Sequence, residues 1–199
     1  MNILLATQNK HKIEEISSIL LSISSINITI PSQLLDIPEG DISYIENALL
    51  KAKTWAKYYP DHYILADDSG LEVAALNNAP GVISAEYAGK NATHQEHIDK
   101  LLLELNDVTD RSALFVSYIL LLSPQQEIFF SRGECYGSIT KHQSGHKGFG
   151  YDPIFAPLQF NHQYTLADLT IEQKNSISHR YKALLGLKDY LQYIEAPIG

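Results

Sequence analysis

The spacing of apolar residues predicts two strands and two helices in the early part of the chain. Residues 3–6 form a short apolar run, and residues 26–30 alternate and are rich in β-branched side chains, so both are predicted strands. Residues 10–21 and 43–59 repeat apolar side chains at the spacing of one helix face. Pro60 ends the second helix, because proline cannot donate the next backbone hydrogen bond.

The later part of the chain predicts a helix, a hairpin and a helical end. Residues 93–105 have helical spacing and begin with the capping-box pattern Thr-His-Gln-Glu. Residues 112–122 and 127–137 are long apolar, β-branched and aromatic runs with a tight connection, which predicts an antiparallel hairpin. Residues 171–193 contain the final helix or helices. This order predicts a mixed sheet in an α/β or α+β fold, with two lobes and a cleft between them.

Two adjacent acids follow a further predicted strand. Residues 63–66 are rich in β-formers and lead directly into Asp67 and Asp68, and Ser69-Gly70 then predicts a turn. Side chains alternate along a strand, so one carboxylate is expected to face a cleft and its neighbour the other side. Mg²⁺ binds one or two carboxylates together with water and phosphates, so a metal site explains the pair. Ordinary turn chemistry explains it equally well.

Length, charge and cysteine content narrow the class of protein. The 199 residues contain no repeat or linker, and we expect one domain over residues 1–199. The formal net charge of −8 gives no reason to expect a nucleic acid or an anionic membrane as partner. Cys135 is the single cysteine and is expected to be a packed strand residue. No apolar run reaches the roughly 18 residues of a membrane span, and we expect a cytoplasmic protein.

Further segments carry groups suited to a nucleotide. Residues 6–12 form a strand-to-helix junction, where N–H groups and the helix dipole favour an anion, and Lys12 in the first turn suggests a negative partner. Residues 145–155 place Phe149 between two glycines, so that its ring can stack on a flat ligand. Residues 174–180 crowd polar donors at a predicted helix start. Each segment alone is also explained as a cap, a turn or solvated charge.

The segments together match one kind of ligand. They supply lysines for phosphates, carboxylates for a metal, an aromatic ring for a base and donors for a base edge. Residues 38–52 add acidic and lysine side chains, which alone are typical of a solvated loop and helix. The combination predicts a site for a nucleoside triphosphate.

Six motifs in this order resemble the inosine triphosphate pyrophosphatase family, whose members hydrolyse deaminated purine nucleoside triphosphates. The resemblance extends over nearly the whole chain, from Thr7 to Leu187. The motifs are Thr7-Gln8-Asn9-Lys10-His11-Lys12, Glu46-Asn47-Ala48-Leu49-Leu50-Lys51-Ala52, Ala66-Asp67-Asp68-Ser69-Gly70-Leu71-Glu72-Val73, Ala79-Pro80-Gly81-Val82, Gly148-Phe149-Gly150-Tyr151-Asp152-Pro153 and Ser178-His179-Arg180.

The resemblance implies an elongated α/β fold with a twisted mixed sheet, two lobes and a central cleft, in a homodimer. It implies Mg²⁺-dependent hydrolysis of ITP, dITP, XTP or dXTP to the nucleoside monophosphate and pyrophosphate. No serine, cysteine or histidine in the sequence is arranged as a nucleophile with its base, which agrees with direct attack by water on the α-phosphorus.

The resemblance also implies residue roles. The residues implied to hold the triphosphate are Thr7, Asn9, Lys12, Lys51, Ser69 and Gly70. The residues implied to surround the base and sugar are Phe149, Gly150, Tyr151, Asp152, Lys174, His179 and Arg180. Glu39 and Asp68 are implied to bind Mg²⁺, and Asp68 to orient or deprotonate the water, a role for which Asp67 is less suited. Donors of His179 and Arg180 are expected to meet the 6-oxo group that adenine lacks.

The chain departs from the family pattern at three places. Gln8 replaces the usual glycine of the first motif, Asp41 is a nearby rival to Glu39 as metal ligand, and Tyr181 replaces the usual glycine after Arg180.

Two other functions remain open. One is a pyrophosphatase of the related fold that acts on modified pyrimidine or methylated nucleotides. The other is a non-catalytic nucleotide-binding module, although paired carboxylates would repel phosphate without a metal.

Overall fold

The structure is a computed structural model that describes residues 1–21, 25–33 and 35–195. The strands of this part are β1 (Asn2–Leu5), β2 (Asn27–Thr29), β3 (Tyr63–Val73), β4 (Pro80–Gly81), β5 (Ser112–Leu122), β6 (Ile128–Ile139) and β7 (Phe155–Pro157). Its α-helices are α1 (Lys10–Leu20), α2 (Tyr44–Ala56), α3 (His94–Glu104), α4 (Ile171–Ile177) and α5 (His179–Glu195).

The strands form a mixed sheet in the order β2-β1-β3-β5-β6-β7, with β4 paired to β3. β1 runs parallel to β2 and β3, whereas β4 and β7 run antiparallel to β3 and β6. This arrangement confirms the predicted α/β class with a mixed sheet. None of the helices in the described part of the chain combines the length and apolarity needed to cross a membrane.

The chain divides into two compact units. Unit 1 contains Met1–Asp68, Ser117–Gly133 and the segment from His179 onward. Unit 2 contains Ser69–Val116 and Glu134–Ser178.

Alternation along β1 builds the two apolar layers of unit 1. Ile3 packs in one layer with Ile16 of α1 and Leu184 of α5, whereas its neighbour Leu4 packs in the other layer with Ala48 of α2. Strands covered by helices on both faces read as continuous apolar runs, which explains the sequence pattern of residues 3–6. Neighbouring residues of the central strands therefore face different helices.

In the core of unit 2, helix α3 packs against strands of the same unit. Ile98 and Leu101 of α3 belong to one buried cluster with Leu71, Cys135 and Phe155. The burial of Cys135 within β6 confirms its predicted role as a packed strand residue. The predicted capping box at the start of α3 is also present, with the N-cap threonine and the glutamate bonding each other's backbone N–H.

The prediction that the strand at 63–66 ends at the two acids is wrong. β3 continues to Val73, so Asp67 and Asp68 lie in its middle and Ser69-Gly70 forms no turn. The strand extends because Leu71 and Val73 are buried in the unit 2 core and Leu71 pairs with β4. A run of four small or polar residues concealed this continuation in the sequence.

The prediction of a single helix start at residues 174–180 is wrong as well. Lys174 lies in α4, Ser178 adopts an extended conformation after that helix, and α5 begins at His179. The motif therefore joins two helices, and it also joins the end of unit 2 to unit 1.

A buried histidine of unit 2 predicts pH-dependent stability. The His97 ring is buried, and its Nδ1 accepts a 2.9 Å hydrogen bond from the Ala88 N–H. Burial, with His94 adding to it, lowers the pKa of His97, so below about pH 6.5 the unfolded chain holds more protons than the folded protein. We expect this contribution to the free energy of unfolding to be full above that pH and to fall as the pH drops.

Chemical denaturation at several pH values checks this expectation. His97→Asn keeps an acceptor at the Nδ1 position but does not titrate, so it is expected to flatten the decline. A decline of equal slope in the variant and the wild-type protein would contradict the assignment to His97.

Candidate active site

β3 directs Asp67 and Asp68 to opposite layers of unit 1. Asp67 contacts side chains of α1 and α5, whereas Asp68 contacts side chains of α2. This follows from the alternation of side chains along a strand, as the sequence predicted. Both carboxylates are buried, with side-chain exposures of 0% and 7%.

Asp67 lies in a buried network of ion pairs. Its Oδ2 is 2.6 Å from Lys12 Nζ and accepts a hydrogen bond from Arg180 Nη2 at 3.3 Å. Its Oδ1 accepts a hydrogen bond from Ser117 Oγ at 2.6 Å. Burial would raise the pKa of Asp67, but Arg180 and Lys12 outweigh burial and hold that pKa well below its ordinary value. Asp67 is therefore ionised, and both of its oxygens are engaged.

The start of α1 positions Lys12. Asn9 caps the helix, with Oδ1 accepting from the N–H groups of His11 at 3.0 Å and Lys12 at 3.3 Å. Thr7 Oγ1 accepts from the Asn9 N–H at 3.2 Å. The Lys12 side chain runs to Asp67 and keeps 16% of its surface exposed. Lys12 is thus paired with Asp67 in the structure, and its predicted contact with an anionic ligand stays a prediction.

A second cluster surrounds Asp68. Lys51 Nζ donates to Asp68 Oδ1 at 2.9 Å and to Glu39 Oε2 at 3.0 Å. Asn47, one turn before Lys51 on α2, donates from Nδ2 to Asp68 Oδ2 at 3.2 Å. Asn47 also exchanges two hydrogen bonds with the backbone of Gly40, at 2.8 and 2.9 Å. These bonds anchor the loop that carries Glu39.

The ionisation of this cluster is strongly perturbed. Burial raises the pKa of Asp68 to about 6, against the opposite effect of the nearby lysines. Burial lowers the pKa of Lys12. At Lys51 burial is outweighed by the carboxylates of Asp68 and Glu39, which raise the pKa. Perturbed, specifically paired groups of this kind are typical of functional sites.

Two carboxylates of the cluster suit a divalent cation. Glu39 and Asp68 both contact Lys51 Nζ, and Glu39 is 47% exposed. Within residues 1–21, 25–33 and 35–195, no three His, Cys, Asp or Glu side chains group as a metal cage. Mg²⁺ takes only one or two carboxylates beside water and phosphate oxygens, so this donor set fits it. Asp41, the rival to Glu39, is exposed.

Arg180 occupies the interior of unit 1. Its guanidinium, 2% exposed, contacts Asp67 and Glu15, the latter on α1. In the structure Arg180 pairs with these two carboxylates. The contact between Arg180 and a base edge, which the resemblance implied, stays a prediction. His179 is buried at the start of α5, and Tyr181 packs against the unit 1 core.

Unit 2 contains a cluster of Phe149, Asp152 and Lys174. Asp152 Oδ2 accepts from the Phe149 N–H at 2.8 Å and from Lys174 Nζ at 2.7 Å. Lys174 Nζ lies 4.8 Å from the centroid of the half-buried Phe149 ring. Gly148 has a φ of +75°, and a Cβ there would lie 2.1 Å from Asp152 Oδ2, so only glycine fits. The motif thus presents an aromatic ring beside a lysine.

Four further residues that the resemblance assigned to the site lie in the backbone of β3 or in and beside the core of unit 2. Tyr151 is buried in the unit 2 core and donates from its hydroxyl to the Ser84 carbonyl at 2.9 Å. Gly150 has a φ of +61°. Ser69 and Gly70 lie within β3.

Sequence reasoning missed Ser117, Glu15 and Asn47. Ser117 is one hydroxyl in an apolar strand, and Glu15 reads as a solvent-facing helix charge. Asn47 had a signal, since it lies four residues before Lys51 on the same face of a predicted helix.

Known proteins are similar to this chain in sequence and fold. The model of the Ham1 family matches residues 3–190. A dITP/XTP pyrophosphatase of Staphylococcus epidermidis is 41% identical over 96% of this chain and 96% of its own length. A dITP/XTP pyrophosphatase of Methylacidiphilum infernorum is 42% identical over 94% of this chain and 93% of its own length.

Solved structures agree with these relatives. The Ham1 protein of Staphylococcus aureus is 38% identical, with a TM-score of 0.87 over 98% of this chain and 100% of that chain. A HAM1 protein of Coxiella burnetii is 41% identical, with a TM-score of 0.88 over 97% of this chain and 99% of that chain. These findings confirm the resemblance drawn from the motifs, and the chain belongs to the Ham1 family.

Proposed function

We propose that this protein hydrolyses the deaminated purine nucleotides ITP, dITP, XTP and dXTP to the nucleoside monophosphate and pyrophosphate, which clears them from the nucleotide pool. The observation that carries the proposal is the cluster of buried Lys51 and Asp68 with the exposed Glu39, which combines a phosphate-binding cation with two carboxylates for a metal. The names of the relatives above support the substrate class. Residues 1–199 would act as one catalytic domain.

The triphosphate would be held by unit 1 and by the β3 backbone. Lys12 and Lys51 neutralise its charge, and the positive end of the α1 dipole favours an anion at the start of that helix. Buried cations bind phosphate more strongly than exposed ones, because less water screens them. The assigned residues are Thr7, Asn9, Lys12, Lys51, Ser69 and Gly70.

Asp68 would direct the attacking water. Glu39 and Asp68 would hold Mg²⁺, which when bound supplies positive charge to the phosphate oxygens. Lys51 and Asn47 fix the Asp68 carboxylate, so that it can orient a water molecule and accept its proton. The water oxygen bonds the α-phosphorus, the bond to the bridging oxygen breaks, and pyrophosphate leaves with the electron pair. Asp67 takes no part in this step.

The nucleoside would be recognised by the residues that the motifs implied. The Phe149 ring would stack on the purine, and the adjacent Lys174 and Asp152 would meet polar edges of the base or sugar. His179 and Arg180 would favour the 6-oxo group over an amino group. Gly150 and Tyr151 complete the assigned set.

The proposal also covers the oligomeric state of the protein and its location in the cell. We assign a homodimer that works in the cytoplasm, where nucleoside triphosphates are available. The acidic net charge argues against nucleic acid as a partner.

Pyrophosphate release from a panel of nucleotides tests the function. We expect Mg²⁺-dependent release from inosine and xanthosine triphosphates, little from adenosine or guanosine triphosphates, and none with a chelator. Release only from modified pyrimidine or methylated nucleotides would replace the substrate class. Mg²⁺-dependent binding without any product would favour the non-catalytic module instead.

A further inference from the structure

We propose that Ser117 is a positioning residue that acts through Asp67 on Lys12. The inference rests on the proposed function, in which Lys12 holds the triphosphate. Ser117 is fully buried on β5, on the same strand face as the apolar residues Phe115 and Ile119. A hydroxyl in such surroundings is costly unless it forms a hydrogen bond, and its partner here is a charged one.

Ser117 sets the orientation of the Asp67 carboxylate. Its Oγ donates to Oδ1 at 2.6 Å, which leaves Oδ2 to Lys12 at 2.6 Å and to Arg180 at 3.3 Å. A carboxylate accepts hydrogen bonds only, so donors on both oxygens fix the plane of the group. The helices supply the two cations, and β5 supplies the neutral donor that directs Oδ2 towards them.

Lys12 is the member of this network that can meet a ligand. Its side chain is 16% exposed, whereas that of Asp67 is 0% exposed. Loss of the Ser117 hydroxyl would free Oδ1 to turn towards Lys12, and both oxygens would then compete with phosphate for one ammonium group. Substrate binding would weaken although Ser117 never touches substrate.

Steady-state kinetics with inosine triphosphate test the inference. Hydrogen bonds to charged groups contribute enough that Ser117→Ala is expected to lower kcat/KM about tenfold, chiefly by raising KM. Ser117→Cys keeps a small, weak donor and is expected to recover part of the loss. The matched control is Ser123→Ala, which removes another buried serine of unit 1, one that bonds the Glu127 N–H at 3.0 Å. Its kcat/KM is expected to match the wild type.

A double-mutant cycle separates positioning from general support of the fold. If Ser117 acts through Lys12, Ser117→Ala adds little further loss in a Lys12→Ala background. An equal loss in both backgrounds, or an unchanged kcat/KM in a folded Ser117→Ala or Ser117→Cys enzyme, would overturn the inference alone. Absence of pyrophosphate release by the wild-type protein would overturn the proposed function and this inference with it.

Discussion

Asp68→Asn is expected to lower kcat for pyrophosphate release by about 10³-fold, because general acid–base groups contribute rate factors of that order. The amide cannot take the proton of the attacking water, and it also removes one negative charge from the proposed cation site. Asparagine matches the carboxylate in shape, and Lys51 keeps Glu39 as a partner at 3.0 Å. The variant should therefore stay folded, and steady-state kinetics beside thermal unfolding measure both properties.

Asp61→Asn is the matched control for this substitution. Asp61 is exposed and lies just before β3, so its amide variant is expected to retain wild-type kcat. Wild-type turnover by Asp68→Asn would remove Asp68 from the chemistry. A loss of equal size in Asp61→Asn would show that the assay responds to charge in general.

Arg180→Gln is expected to destabilise the protein by about 3 kcal/mol or more, because removal of one partner of a buried ion pair leaves an uncompensated charge. The Arg180 side chain is 2% exposed and contacts Asp67 and Glu15. Base reading by Arg180, as the resemblance implied, predicts a raised KM for inosine triphosphate in addition. Chemical denaturation measures the loss of stability through the midpoint, provided the slope is unchanged, and steady-state kinetics measure the KM.

The matched control is Arg132→Gln. Arg132 lies on β6 with its side chain exposed, beside the ring of Tyr118. Exposed substitutions usually change stability by less than about 0.5 kcal/mol, and we expect that result here. A wild-type midpoint for Arg180→Gln would mean that the buried ion pairs contribute nothing to stability.

Regular side-chain periodicity made the elements of the fold predictable. Residues 10–21 and 43–59 repeat apolar positions over several turns, and the corresponding helices are present as α1 and α2. The hairpin of β5 and β6 was equally plain, because long β-branched runs flank a short polar connection. β3 was predicted too short, since its middle residues are polar and its reason for continuing lies in pairing with β4, which the sequence does not display.

The site was predictable in its residue types but less so in its contacts. Lys12 and Asp68 could be singled out because they stand at a predicted helix start and a predicted strand end, whereas Lys51, in the middle of a predicted helix, was singled out only through the family resemblance. The burial of Arg180 could not, since one of its partners, Asp67, is 113 positions away. A single serine within an apolar run carries no periodic signal either, so Ser117 emerges only from the packing of β5.

In the middle of β3, the role of a side chain depends on which face of the sheet its position occupies. Asp67 and Asp68 are the same residue type and adjacent in the chain, yet Asp67 pairs with side chains of α1 and α5 and Asp68 with side chains of α2. Inserting or deleting one residue in the preceding part of the strand would exchange their surroundings without altering composition. A substitution in this part of the strand changes one side chain, whereas a change in its length exchanges the faces that Asp67 and Asp68 occupy.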